Sequence, residues 1–62
     1  MKQFIVLTGI KGSLIAIRPS SIIRIIECKG ENPKIVVETT TNEWYISSEK
    51  HSVYSIVKEI EE

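Results

Sequence analysis

Sixty-two residues with eight Lys/Arg and eight Glu give a net charge of zero. One cysteine, one histidine and no aspartate exclude an intrachain disulfide and a closed four-ligand zinc site. A single domain this short buries only about 60% of its unfolded surface, so the sequence must supply a rich core or a partner copy.

Twelve isoleucines and five valines stand against two leucines, which favours pleated sheet. Lys2 to Thr8 reads as the first strand. Phe4 and Val6 fall on one face and Ile5 and Leu7 on the other, and Phe4 and Val6 are the expected core pair. Gly9-Ile10-Lys11-Gly12-Ser13 supplies a hairpin turn. Leu14 to Arg18 is the second strand, with Ile15 and Ile17 inward, and Pro19 ends it because proline donates no ladder hydrogen bond. Pro19-Ser20-Ser21 forms one helical turn that drops Ile22 toward the core.

Ile22 to Cys28 would also fit a helical face through Ile22, Ile25 and Ile26. It is too short and too β-branched for a helix, so it reads as the third strand. Plain alternation then sets Ile23 and Ile25 on one face and Ile22, Arg24, Ile26 and Cys28 on the other. Gly30, Asn32 and Pro33 make the next turn. Lys34 to Thr39 is the fourth strand, with Ile35 and Val37 inward and Val36 and Glu38 outward. Thr40-Thr41-Asn42 connects it to the fifth, Glu43 to Ser47, and Asn42 is expected to take positive φ. On that last strand Trp44 and Ile46 point inward and Tyr45 outward.

Val53, Ile56, Val57 and Ile60 recur at helical spacing behind Ser52, a natural N-cap. Glu59, Glu61 and Glu62 oppose the dipole at the far end, so packing must hold this helix. The expected fold is one domain over 1–62, mainly β with one C-terminal helix. Five strands over 2–47 form a small barrel-like or strongly twisted antiparallel meander, and the helix covers 52–61. The expected core is Phe4, Val6, Ile15, Ile17, Ile25, Ile35, Val37, Trp44, Ile46, Val53, Ile56, Val57 and Ile60.

Several marks occur together: Gly12, Ile17-Arg18-Pro19, Ile22 to Ile25, Ile35-Val36-Val37, Trp44-Tyr45-Ile46 and Ser52 to Ile60. Their order resembles the FlbD/SwrD-like family of small flagellar-operon proteins, and similar short phage or mobile-element proteins. The resemblance covers nearly the whole chain through apolar spacing and implies the same order of elements, with no catalytic residue to carry over. The chain departs from the family's common Asn-Gly turn, having Thr41-Asn42, and has a longer segment, Ser47 to His51, before the helix.

The chemistry that the residues permit is narrow. Cys28 could act as a nucleophile only beside a base, and nothing in the pattern brings His51 to it. Gly9 to Ser13 places a lysine near a serine without the spacing of a phosphate loop. No catalytic, cofactor or metal residue is expected. Apolar runs reach only four residues, Phe4 to Leu7 and Leu14 to Ile17, far short of a membrane helix or a signal core. A cytoplasmic setting is the expectation.

Residues 1–34 carry six Lys/Arg (Lys2, Lys11, Arg18, Arg24, Lys29, Lys34) and two Glu. Residues 35–62 carry two Lys and six Glu. Either the halves complement each other, or a basic face meets an acidic partner or a second copy. Strands apolar on both faces carry more isoleucine than one small core needs, and the helix covers one side only. The surplus points to a protein partner, most simply a homodimer, through Ile22, Arg24, Ile26, Tyr45 and Tyr54. The alternative is a single-stranded nucleic acid bound on Arg18, Arg24, Lys34 and Tyr45. Against it stand the zero net charge and the few aromatics.

Overall fold

A computed structural model describes residues 3–62. The expected strand start at Lys2, and the share of Lys2 in a basic face, lie outside the described residues. The elements run β1 (Ile5–Thr8), β2 (Leu14–Ile17), a 3₁₀ turn (Pro19–Ser21), β3 (Ile22–Cys28), β4 (Lys34–Thr39), β5 (Glu43–Ile46) and α1 (Val53–Glu61). The chain is mainly β, with five strands in two antiparallel sheets and one C-terminal helix.

β1 and β2 form a two-stranded sheet, with Ile5 opposite Ile17 and Leu7 opposite Ile15. Their loop is Ile10-Lys11-Gly12. Gly9 N–H donates to Ser13 O at 2.7 Å, and Gly12 N–H donates to Gly9 O at 3.0 Å. Gly12 sits at φ +90°, the left-handed position that closes a three-residue hairpin loop. Gly9 is needed for space instead. A Cβ there would meet Ile15 Cδ1 of its own hairpin at 3.2 Å and Tyr45 O, on a second sheet, at 3.5 Å.

That second sheet has the order β3-β4-β5. A single bridge, Gly9 opposite Ile46, ties it to β1, with Ser47 N–H donating to Thr8 O at 2.8 Å and Ile10 N–H to Tyr45 O at 3.2 Å. Among the described residues, β2 pairs only with β1 and β3 only with β4, so no closed barrel forms. The 3₁₀ turn carries the chain from β2 to β3. Ser21 N–H and Oγ both donate to Arg18 O, at 2.9 and 2.7 Å.

The core is Ile5, Leu7, Ile17, Ile35, Val37, Ile46 and Ile56, with Ile15, Ile22, Ile25, Trp44, Val53 and Ile60 packed around it. This corrects the expectation on the first strand. Phe4 and Val6 are exposed, while Ile5 and Leu7 are fully buried. Both faces of β1 are apolar, so alternation left its orientation open. The pairing with Ile17 and Ile15, themselves inward, decides it. Val57 is corrected too: at 37% exposure it lies on the rim of the helix stripe. Val36, expected outward, does lie between Ile26 and Tyr45 across the strands, and is nevertheless buried at 8%.

β3 also departs from plain alternation. Ile22 opposes Thr39 and Arg24 opposes Glu38, so Ile23 is an extra residue on the β3 side, a bulge. The bulge shifts the phase, and Ile22 and Ile25 both pack on the core while Ile23 is exposed. Asn42 does not take positive φ, since no residue but glycine does among those described. The β4–β5 turn is held by Thr39. Its Oγ1 donates to Asn42 O at 2.8 Å, and its N–H donates to the same oxygen at 2.9 Å. The buried hydroxyl supplies the closure that a glycine would have given by conformation.

The helix agrees with its sequence signal. Ser52 caps it, its Oγ accepting from Ser55 N–H at 3.0 Å, and Ser55 Oγ accepts from Ser52 N–H at 2.9 Å. This reciprocal pair satisfies two donors that a helix start leaves free. Among the described residues no helix is long and apolar enough to cross a membrane.

Candidate functional site

The pairing places the outward side chains in two patches. On the two-stranded sheet, Val6 lies opposite Ala16 and Thr8 opposite Leu14, with their side chains turned away from the core. Phe4 precedes Val6 on the same face by the two-residue period. Leu14 is 74% exposed and Val6 53%. The Arg18 guanidinium lies 5.2 Å from the centre of the Phe4 ring. Among the described residues this patch is therefore aliphatic and aromatic, with Thr8 beside Leu14 and the Arg18 cation at its margin. Sequence reasoning missed it because it assigned Phe4 and Val6 to the core. The signal that could have found it is the pairing of two strands that are apolar on both faces.

On the three-stranded sheet, Ile26, Val36 and Tyr45 form one row and Arg24, Glu38 and Glu43 the next. Arg24 Nε and Glu38 Oε1 make an ion pair at 2.7 Å across neighbouring strands. One of these residues comes from each half of the charge division. Lys34 Nζ lies 5.8 Å from the centre of the Tyr45 ring. Arg24, Ile26 and Tyr45 thus share one outer face. Ile22 does not join them, because the bulge turns it to the core. Tyr54 does not join them either. It stands 73% exposed on the helix, with Lys58 Nζ 6.0 Å from its ring centre.

Of the four residues considered for nucleic acid, Arg24, Lys34 and Tyr45 lie on this face. Arg18 stands with Phe4 after β2. The Arg24 charge is matched by Glu38, and a cation already covers one face of Tyr45.

The remaining chemistry is dispersed. His51 Nε2 accepts a hydrogen bond from Thr8 N–H at 2.9 Å, tying the segment before α1 to β1. Cys28 ends β3 opposite Lys34. A cavity of about 310 Å³ opens between the hairpin tip and β5, walled by Gly9, Ile15, Trp44 and Tyr45 with Lys11 and Glu43 beside it. Another of about 350 Å³ is bordered by Ile10, Glu31, Lys34 and Glu49. Neither Cys28 nor His51 lines them. Among the described residues no group of three or more His, Cys or Glu is placed to hold a metal ion. Comparison with known proteins finds no matching family model, no matching curated protein and no matching solved structure.

Proposed function

We propose that this chain is a small non-catalytic protein-interaction module that self-associates and serves a larger cytoplasmic assembly or regulates a partner. The observation that carries this reading is the outer face of β1 and β2. Phe4 and Val6 stand exposed along it, with Ala16 opposite Val6 and exposed Leu14 diagonal to it, opposite Thr8. Contiguous apolar patches of this kind on small domains mark contact surfaces. Stacking two such faces about a two-fold axis buries each against its own kind.

The bridge between Gly9 and Ile46 supports reading the strands as one curled, unclosed barrel in the order β2-β1-β5-β4-β3. The patch lies on its outside. The order of elements is also what the FlbD/SwrD-like resemblance implies, and a non-catalytic role in an assembly suits it. The nucleic-acid reading rests on Arg24, Lys34 and Tyr45 sharing one face, and the pairing of Arg24 with Glu38 weighs against it.

Molar mass by light scattering across a dilution series tests the proposal. A dimer that dissociates on dilution is the expected result. A monomer at every concentration removes self-association. Salt-sensitive binding of a labelled single-stranded oligonucleotide would replace the reading with its rival.

A further inference from the structure

Among the described residues two strand edges, those of β2 and β3, are open, and they differ. The β3 edge carries a bulge at Ile23 and the charges of Arg24 and Glu27, features that discourage strand addition. The β2 edge, Leu14–Ile17, has no charge, proline or bulge.

The direction of its free groups follows from the hairpin. Gly9 N–H donates to Ser13 O, so Ser13 turns its main chain toward β1. In an antiparallel pair this orientation alternates, so Ile15 and Ile17 do the same. Leu14 and Ala16 therefore present their N–H and C=O to the open side. Lys11 in the hairpin loop and Arg18 just after Ile17 flank this strand; residues 3–20 contain no carboxylate side chain, Glu43 of β5 borders the same cavity as Lys11, and Arg18 lies over Phe4.

We infer that the β2 edge accepts an extended segment of a partner protein, apolar in its middle and acidic at both ends, as an added strand. The inference rests on reading the chain as an interaction module and names the chemistry of the partner. Main-chain hydrogen bonds at Leu14 and Ala16 hold the segment, and its outward side chains lie beside theirs. Lys11 and Arg18 meet the terminal carboxylates. A second copy of β2 suits the edge less well. Antiparallel pairing would set the Lys11 end of each copy against the Arg18 end of the other, like charge on like charge.

The probe is a capped nonapeptide of alternating valine and threonine with two glutamates at each end, titrated into the nitrogen-15-labelled full chain. Saturable amide shifts centred on Leu14 and Ala16 are expected. The same peptide with lysine ends should bind about tenfold more weakly. Ala16→Pro removes an outward N–H and no ladder bond, a position where edge strands tolerate proline, and should abolish binding. The Lys11→Glu and Arg18→Glu double variant should prefer the lysine-ended peptide, which decides the matter even if Ala16→Pro fails to fold.

Absence of saturable shifts overturns the inference. So do shifts centred on Ile25 and Glu27, or equal affinity for both peptides. A wild-type dimer that Ala16→Pro alone makes monomeric would give the edge to a second copy instead. Val6→Glu separates the two proposals: it should disrupt stacked faces and leave peptide binding in place. A monomer that binds the peptide keeps this inference and removes self-association.

Discussion

His51 shows how one side chain can join parts of the chain that the sequence keeps far apart. Its Nε2 accepts the Thr8 N–H at 2.9 Å, so the ring carries its proton on Nδ1 when this bond is made. Thr8 O already receives Ser47 N–H, so the end of β1 is fixed to the segment before α1 on both its polar groups. His51→Ala leaves a partly buried donor without a partner and should cost about 1–2 kcal/mol. Urea denaturation of the two proteins measures this, and an unchanged midpoint would show that water replaces the imidazole. The sequence could place His51 in a polar segment before a helix and could not reveal this bond, since it depends on where β1 ends in space. The reversed first strand has a similar cause. Phe4 and Val6 are as apolar as Ile5 and Leu7, so composition offered no basis for choosing between them.

Among the elements, legibility followed the clarity of the period. The helix was readable because Val53, Ile56 and Ile60 recur at 3.6-residue spacing behind a serine, a pattern that a strand cannot use. Val57 belongs to the same arc but falls on its margin, where the sheet no longer covers it. β3 was readable as a strand and misread in phase, because a bulge at Ile23 leaves no mark in a run of isoleucines. The β4–β5 turn was placed correctly and explained wrongly, since Thr39 closes it through a hydroxyl. The same preference for side-chain closure holds α1. Ser52 and Ser55 exchange hydrogen bonds at its start, while Glu59, Glu61 and Glu62 oppose its dipole at the end. Ser52→Ala should therefore cost about 1 kcal/mol. In a domain this small, that loss lowers the melting temperature by about 4–8 °C. Calorimetry reads the shift, and a change under a degree would mean that packing of Ile56 alone sets the helix start.

For the whole molecule, the question is what the surplus isoleucine is for. One core takes Ile5, Ile17, Ile35, Ile46 and Ile56, and others ring it, yet Ile10, Ile23 and Ile26 remain exposed along with Phe4, Val6 and Leu14. The sequence made this surplus visible. It pointed to Ile26 and Tyr45, and the structure adds Phe4, Val6 and Leu14, exposed on the β1–β2 side. Around Ile26 the surface is already partly satisfied. Val36 is covered, Arg24 pairs with Glu38, and Lys34 lies over Tyr45. Around Val6, among the described residues, Arg18 over Phe4 and Thr8 opposite Leu14 moderate the apolar face. A charge should thus have unequal effects at the two places. On the proposed self-association, Val6→Glu is expected to leave the chain monomeric, and Ile26→Asp to weaken association only slightly. Both side chains are outward, so each variant should keep its unfolding free energy, read by urea denaturation at a dilution where the parent is monomeric, within about 0.5 kcal/mol of the parent. Light scattering on the matched pair reads the difference. If Ile26→Asp dissociates the assembly and Val6→Glu does not, the contact belongs to the three-stranded sheet, and its ion pair and covered tyrosine must rearrange when the copies meet.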